Sequence, residues 1–283
     1  MNRNWTFKLC LLFLSWTCCD AINAQESYQT THSTLVGIGG VRQLDTYLSP
    51  LSYQGPQVQF LYETLRPTHW GKGNISTQSI WQGKFAYTES PAGNANNIGA
   101  DIRYNIGWHY NWLIGSSASS PRLHIMLGPQ LDANAGVLYN TRNGNNPAQA
   151  IASLGLSASA AAIYYFHVRR QPFFLREQLD VPLIGAKFSP NYGQSYYEIF
   201  SEGNSDHNIC ATTPFNAPSL RNLLTLDIPF RKATLRVGYL IDIKQSDLNQ
   251  LKYHSYTHAF MIGWVRHIIY QKPQRQSLDG YIL

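Results

Sequence analysis

Charge is scarce in this sequence: Asp, Glu, Lys and Arg make up 13% of its 283 residues. An ordinary soluble domain carries about a quarter. Long apolar runs are missing as well. Beyond the opening segment no stretch reaches the roughly 18 apolar residues that a membrane-crossing helix needs, which excludes a helical membrane protein and leaves a strand-built one open. Cysteine is nearly absent, with Cys10, Cys18 and Cys19 in the first 19 residues and Cys210 far downstream. A single later cysteine gives neither a disulfide nor metal-ligand spacing. There is no G-x-S-x-G, H-E-x-x-H or phosphate-cradling glycine loop, and no Lys/Arg run interleaved with aromatics. These absences set the expectation of no catalytic motif, no metal, no cofactor and no nucleic-acid partner.

The opening segment reads as an export signal. Arg3 and Lys8 form a basic start, Leu9 to Trp16 a short apolar stretch, and Ala21 to Gln25 a small-residue cleavage zone. The expectation is a leader over 1–24, a barrel over 25–270 and a periplasmic tail over 271–283. Ser15, Trp16 and Thr17 ahead of Cys18 are not the small residues that lipoprotein processing prefers. Removal of the leader takes two basic residues and Asp20 from a formal charge of +6 and leaves +5. That mild surplus fits anionic head groups or small anionic solutes.

What is abundant is aromatic side chain, with 18 Tyr, 12 Phe and 7 Trp, and alternation. Residues 97–115 place Ile98, Ala100, Ile102, Tyr104, Ile106, Trp108, Tyr110, Trp112 and Ile114 on one side. Gly99, Asp101, Arg103, Asn105, Gly107, His109 and Asn111 fall on the other. A period of two means strand. The run is several times the length of a usual globular strand and long enough to cross a bilayer at barrel tilt. Its apolar side ends in Trp108, Tyr110 and Trp112, as an interfacial girdle would.

The pattern recurs over 123–139, 220–230 and 233–244, with weaker copies near 33–42, 57–65, 75–87, 150–166, 172–184 and 253–268. Turn signals separate the runs at 49–56, 66–74, 90–97, 116–121, 141–148 and 167–172, and their lengths roughly alternate. The expected fold is therefore all-β, an antiparallel transmembrane β-barrel of ten to twelve strands with a long external loop near 185–218. Whether 191–200 is a strand, a helical turn or a segment folded into the mouth decides the count. A soluble exported β-sandwich has the same alternation and stands as the alternative.

Two motifs, DTYLSPLSYQG (45–55) with Glu63 in the next strand and SPNYGQSYYEIF (189–200), resemble an uncharacterised family. That family comprises Bacteroidota outer-membrane barrel proteins catalogued as a domain of unknown function, number 3316. The residues that carry the likeness are Tyr47, Pro50, Tyr53 and Gly55 in the first motif and Tyr192, Gly193, Tyr196 and Tyr197 in the second. The resemblance implies a barrel and an outer-membrane address, and it brings no catalytic residue.

On the inward side the expected polar network comprises Asp101, Arg103, His109, His124, Asp132, Arg221, Asp227, Arg236 and Lys244. A hairpin around Ser117 to Ser119 brings Arg103 near Asp132 and Asn134, and Asn111 near His124. A turn at Phe230 to Lys232 sets Asp227 opposite Thr234 and diagonal to Arg236. Such groups pair because an unpaired buried charge is costly. Arg221, Arg236 and Lys244 would make an anion-selective lining if a passage were open. Ser153, Gly155, Ser157, Ser159 and Ala161 are all small and leave room on the inward face of 150–166.

The functional expectation is a narrow solute channel or a structural, accessory component of an envelope complex. Its partners are outer-membrane lipid, and a small solute or an envelope protein. An outer-membrane enzyme acting on lipid or peptide, using Ser195, Glu198, Glu202, Asp206 and His207, is the competing reading. The Gly, Asn, Ser and Asp around those residues are also ordinary turn material.

Overall fold

The computed structural model describes residues 27–115, 122–169, 171–230 and 233–271. One compact unit spans Gln29–Ile268, and the rest of the chain, 1–28 and 269–283, falls outside it. Of that remainder, only 27–28 and 269–271 are described, as extended strand. The expected leader and the tail beyond Gln271 lie outside the described residues, as do the expected turn residues Ser117 to Ser119 and Arg231 with Lys232.

Among the described residues eleven strands follow one another: β1 (Ser27–Asp45), β2 (Ser49–Pro67), β3 (Ile75–Glu89), β4 (Asn96–Ile114), β5 (Arg122–Asn140), β6 (Ala148–Val168), β7 (Gln171–Phe188), β8 (Ile209–Thr212), β9 (Ser219–Pro229), β10 (Thr234–Leu248) and β11 (Leu251–Gln271). Ten of them close an antiparallel barrel in chain order, β11 returning to β1, while short β8 pairs with the end of β7 beside the ring. The expected ten runs all appear as barrel strands, and each reaches or exceeds the 9 to 11 residues that cross a bilayer when tilted.

Closure requires glycine at the β1–β11 contact. A Cβ on Gly39 would lie 1.8 Å from the His258 carbonyl oxygen, and one on Gly263 would lie 1.8 Å from that of Thr34. Neither position has room for any side chain.

Even-numbered residues of β4 face outward and odd-numbered ones inward, so Ile102 is 52% exposed while Asn105 and His109 are buried. The outer surface is an apolar band that includes Val36, Ile38, Val58, Phe60, Phe85, Phe260 and Ile262. Partly exposed aromatics stand toward both ends, Tyr87, Tyr139 and Tyr256 at one and Tyr110, Trp112 and Tyr164 at the other.

Connections at the end carrying the first and last strand termini span 68–74, 115–121, 169–170 and 230–233. Those at the opposite end span 46–48, 90–95, 141–147, 189–218 and 249–250. The expected alternation of long and short links is absent apart from the 189–218 excursion. The 249–250 link is a tight one: Asn249 and Gln250 both have positive φ, 52° and 63°, as a two-residue type I′ turn demands.

The expected turn over 49–56 is instead the start of β2. Pro56 is accommodated because 55 and 56 lie in a gap of the β2–β3 ladder, between Gln54↔Glu89 and Gln57↔Ala86. Pro56 therefore leaves no β3 carbonyl wanting a donor. The segment 191–200 is a helical turn, α1 (Tyr196–Phe200), so the barrel has ten strands.

The barrel interior is filled. Leu35, Leu61, Ile80, Leu223, Leu240, Ala259 and Met261 form an apolar cluster on the wall from β9 round to β3. Polar side chains occupy the levels on either side of it.

Candidate functional site

Among the described side chains, alternation places seven cations and seven carboxylates inside the barrel: Lys84, Arg103, Arg176, Lys187, Arg221, Arg236 and Lys244, with Asp45, Glu63, Asp101, Asp132, Asp180, Asp227 and Asp242. The filling is electrically balanced, as a low-dielectric interior requires.

Glu63 on β2 is the hub nearest the end with the strand termini. It pairs with Arg176 on β7 (Nη2–Oε1 2.7 Å, Nη1–Oε2 2.9 Å) and with Arg236 on β10 (Nη1–Oε2 2.9 Å). Ser33 Oγ donates to Oε2 at 3.0 Å and Gln78 Nε2 to Oε1 at 2.5 Å. Arg236 also grips Asp227 with two bonds, Nε–Oδ1 2.6 Å and Nη2–Oδ2 2.8 Å. β2 and β7 stand five places apart in a ring of ten, so the Glu63–Arg176 contact crosses the full lumen.

Two further contacts span the same five places. Arg221 on β9 donates from Nε to Gln82 Oε1 on β3 at 3.0 Å while its Nη1 holds Asp180 at 2.8 Å. Arg103 on β4 lies 3.5 Å from Asp242 on β10. Beside it Lys84 and Lys244 share Asp101 at 2.7 and 3.6 Å.

Some expected neighbours are met and others are not. His124 Nε2 lies 3.0 Å from Asn111 Oδ1. Arg103 stands opposite Asn134, but its carboxylate partner is Asp242, across the lumen, rather than Asp132. Asp132 is held by Asn105, Ser157 and Gln130. Asp227 faces Arg236 directly, because the β9–β10 register sets each β9 residue opposite a β10 residue two positions later than expected, with Pro229 opposite Thr234. His109 is fully buried, and neither of its ring nitrogens has a hydrogen-bond partner. Arg221, Arg236 and Lys244 do not form a free cationic ring, since each stands within 4 Å of at least one carboxylate.

Glu63, Arg176, Asp180, Lys84, Gln78 and Gln178 were not among the expected site residues. Their signal was present in the weaker alternation of 57–65, 75–87 and 172–184.

At the opposite end the two motifs meet. The Tyr47 and Tyr196 rings pack edge to face with centroids 5.8 Å apart. Tyr196 Oη accepts from the Ala150 amide at 2.6 Å and donates to Gln149 Oε1 at 3.0 Å, pinning the excursion to β6. Tyr53 is buried and accepts from Asn140 at 2.9 Å. A Cβ on Gly55 would strike the Tyr87 carbonyl oxygen. Gly193 has φ +78°, while Pro50, Tyr192 and Tyr197 are exposed. Burial first, then Tyr196 and the acids Asp45 and Glu198, hold the Tyr47 phenol above its ordinary range; burial does the same for Tyr196.

The candidate catalytic residues are engaged otherwise. Ser195 caps α1: its Oγ accepts from the Glu198 amide at 3.2 Å, and its own amide donates to Glu198 Oε2 at 2.8 Å. Glu202, Asp206 and His207 are exposed on the turn that follows. Among the described residues no group of three or more His, Cys, Asp or Glu could hold a metal.

Three solved structures resemble this one in part. The transport unit of the autotransporter AIDA-I from Escherichia coli is 9% identical, over 94% of this chain and 96% of that one, with a TM-score of 0.48. The outer membrane protease OmpT from Escherichia coli is 7% identical over 88% and 99%, with a TM-score of 0.43. The translocator domain of autotransporter NalP from Neisseria meningitidis is 10% identical over 92% and 95%, with a TM-score of 0.36. Likenesses of this size carry no function across. No curated protein matches the sequence. A family described as "Protein of unknown function (DUF3316)" matches residues 7–275.

Proposed function

We propose that this chain, which belongs to the DUF3316 family, is an outer-membrane β-barrel closed to solute flow that serves as a structural or accessory component of an envelope assembly. Its apolar outer band and the aromatics toward both ends support placement in a bilayer. Export by a cleaved leader over 1–24 and a Bacteroidota source belong to the same reading.

The observation that carries closure is the set of direct contacts between strands five places apart. Glu63–Arg176, Gln82–Arg221 and Arg103–Asp242 bridge opposite walls at three levels. A solute channel would have to break them, leaving the buried Arg176 and Arg103 without a counter-charge at several kcal/mol each. The excursion pinned over the outer mouth by Tyr196 is the surface such a barrel presents to an envelope partner.

The test is single-channel conductance in a planar bilayer, with folding verified by a gel shift between unheated and boiled samples. The expected result is silence. Discrete steps from the folded protein would overturn closure. Co-isolation with a larger envelope protein in mild detergent is expected, and recovery only as a free monomer would remove the accessory role.

A further inference from the structure

We infer that the barrel wall is open between β7 and β9, and that the cavity behind this seam holds an anionic amphiphile, head group in the lumen and chain in the surrounding lipid. This rests on the membrane placement proposed above.

The seam follows from the strand ladders. Pairing of β7 with β9 ends at Asp180↔Arg221, and pairing of β7 with β8 begins only at Gly185↔Thr212. Residues 181–184 of β7 thus have no ladder partner on that side. Pro182 sits in this gap and lacks the N–H that a continuous wall would use. On the other side of β7 the register with β6 slips between Leu156 and Ser157.

Behind the seam lies a cavity of about 120 Å³, enough for about four waters or a compact head group. Ser153, Gly155 and Ser157, the small inward residues of β6, leave the space. Ile184 lines the cavity and is also 60% exposed on the outer surface, so a residue of the unpaired stretch borders both. Pro182 and Leu220 line it at the same seam.

The inner lining has the opposite character. Arg103, Lys187, Arg221 and Lys244 face three aspartates, a surplus of one positive charge. Arg221 is 2% exposed, and although Nε and Nη1 are bonded, its Nη2 has no partner. The Gln130 Oε1 beside the same cavity is also unpartnered. A buried guanidinium N–H without an acceptor costs free energy that an anionic oxygen would recover. A charged lining reached past apolar side chains from the lipid side selects a ligand that is anionic at one end and apolar at the other.

The folded protein is placed in phosphatidylcholine vesicles, and flotation with them scores insertion independently of binding. Dodecyl phosphate is then titrated, with inorganic phosphate and uncharged dodecyl maltoside as separate arms. Saturable dodecyl phosphate binding is expected, weakened at least tenfold by Ser153→Phe, which fills the cavity, and by Ile184→Trp, which blocks the seam. Neither residue belongs to the ionic network. If phosphatidylglycerol added to the vesicles displaces the probe, the source is membrane lipid; if it does not, the source is a free amphiphile, and the proposal holds either way. Inorganic phosphate binding as tightly as dodecyl phosphate would overturn the role of the chain, and equal competition by dodecyl maltoside would overturn the role of the charge. Unchanged affinity in both variants, or no binding by protein that floats, would overturn the site and leave the closed-barrel reading standing. Conductance steps from protein that floats and binds would have the reverse effect.

Discussion

Replacing Glu63 by Gln removes the carboxylate on which two arginines converge, and the consequences for the two differ. Arg236 keeps both bonds to Asp227. Arg176 loses its carboxylate and is left with neutral amide oxygens, that of Gln178 at 2.6 Å and the one the substitution retains at position 63. The variant therefore buries a guanidinium without a counter-charge across the lumen from its lost partner. Breaking a buried pair from one side costs about 3–5 kcal/mol. With a denaturant slope of about 2 kcal/mol/M, the urea midpoint falls by about 1.5–2.5 M. Tryptophan fluorescence of the folded barrel, paired with the gel shift on boiling, reads that midpoint. Two controls define the cause. Glu177→Gln, on the outer face where Glu177 bonds Asn222, changes the midpoint little. Adding Arg176→Met to Glu63→Gln restores most of the loss, because the orphaned charge goes with it. A midpoint for Glu63→Gln within error of Glu177→Gln, or a double variant worse than the single one, would refute the assignment of barrel stability to this cross-lumen pair.

Gly39→Val puts a side chain where the His258 carbonyl oxygen would lie 1.8 Å from its Cβ, so the β1–β11 ladder fails to close. The unheated and boiled samples are then expected to migrate alike. Ser195→Ala removes the cap of α1 at a cost of about 1 kcal/mol. The excursion is expected to be cut faster by protease while the barrel midpoint stays put. The raised Tyr47 and Tyr196 phenols bind protons more tightly when folded than unfolded. Their contribution is therefore fully present below the ordinary tyrosine value near 10 and lost as pH rises beyond it. The unfolding midpoint is expected to drop above about pH 10, and less steeply in Tyr47→Phe. At neutral pH that substitution costs little, since the Tyr47 hydroxyl is buried without a partner.

Alternation alone located every barrel strand, including β4, and decided which side of β4, β5, β6, β9 and β10 is inward, because a period of two leaves no freedom about faces once one side is apolar. It marked Arg103, Asp132, Asp227 and Arg236 as inward for the same reason. Tertiary structure decided which inward group meets which. Arg103 pairs with Asp242 and Glu63 with Arg176 because the barrel closes in a ring and brings strands five places apart into contact, a relation that no local spacing encodes. Asp227 meets Arg236 directly because the β9–β10 register is displaced by two residues from the one the turn composition suggests. The apolar cluster around Leu61 and Leu240, and the gap between β7 and β9, likewise depend on the relative heights of strands set by ring closure. The sequence determined the strands and their faces through local stereochemistry. The closed ring determined the network, the filled lumen and the open seam, since each is a contact, or the lack of one, between residues far apart in the chain.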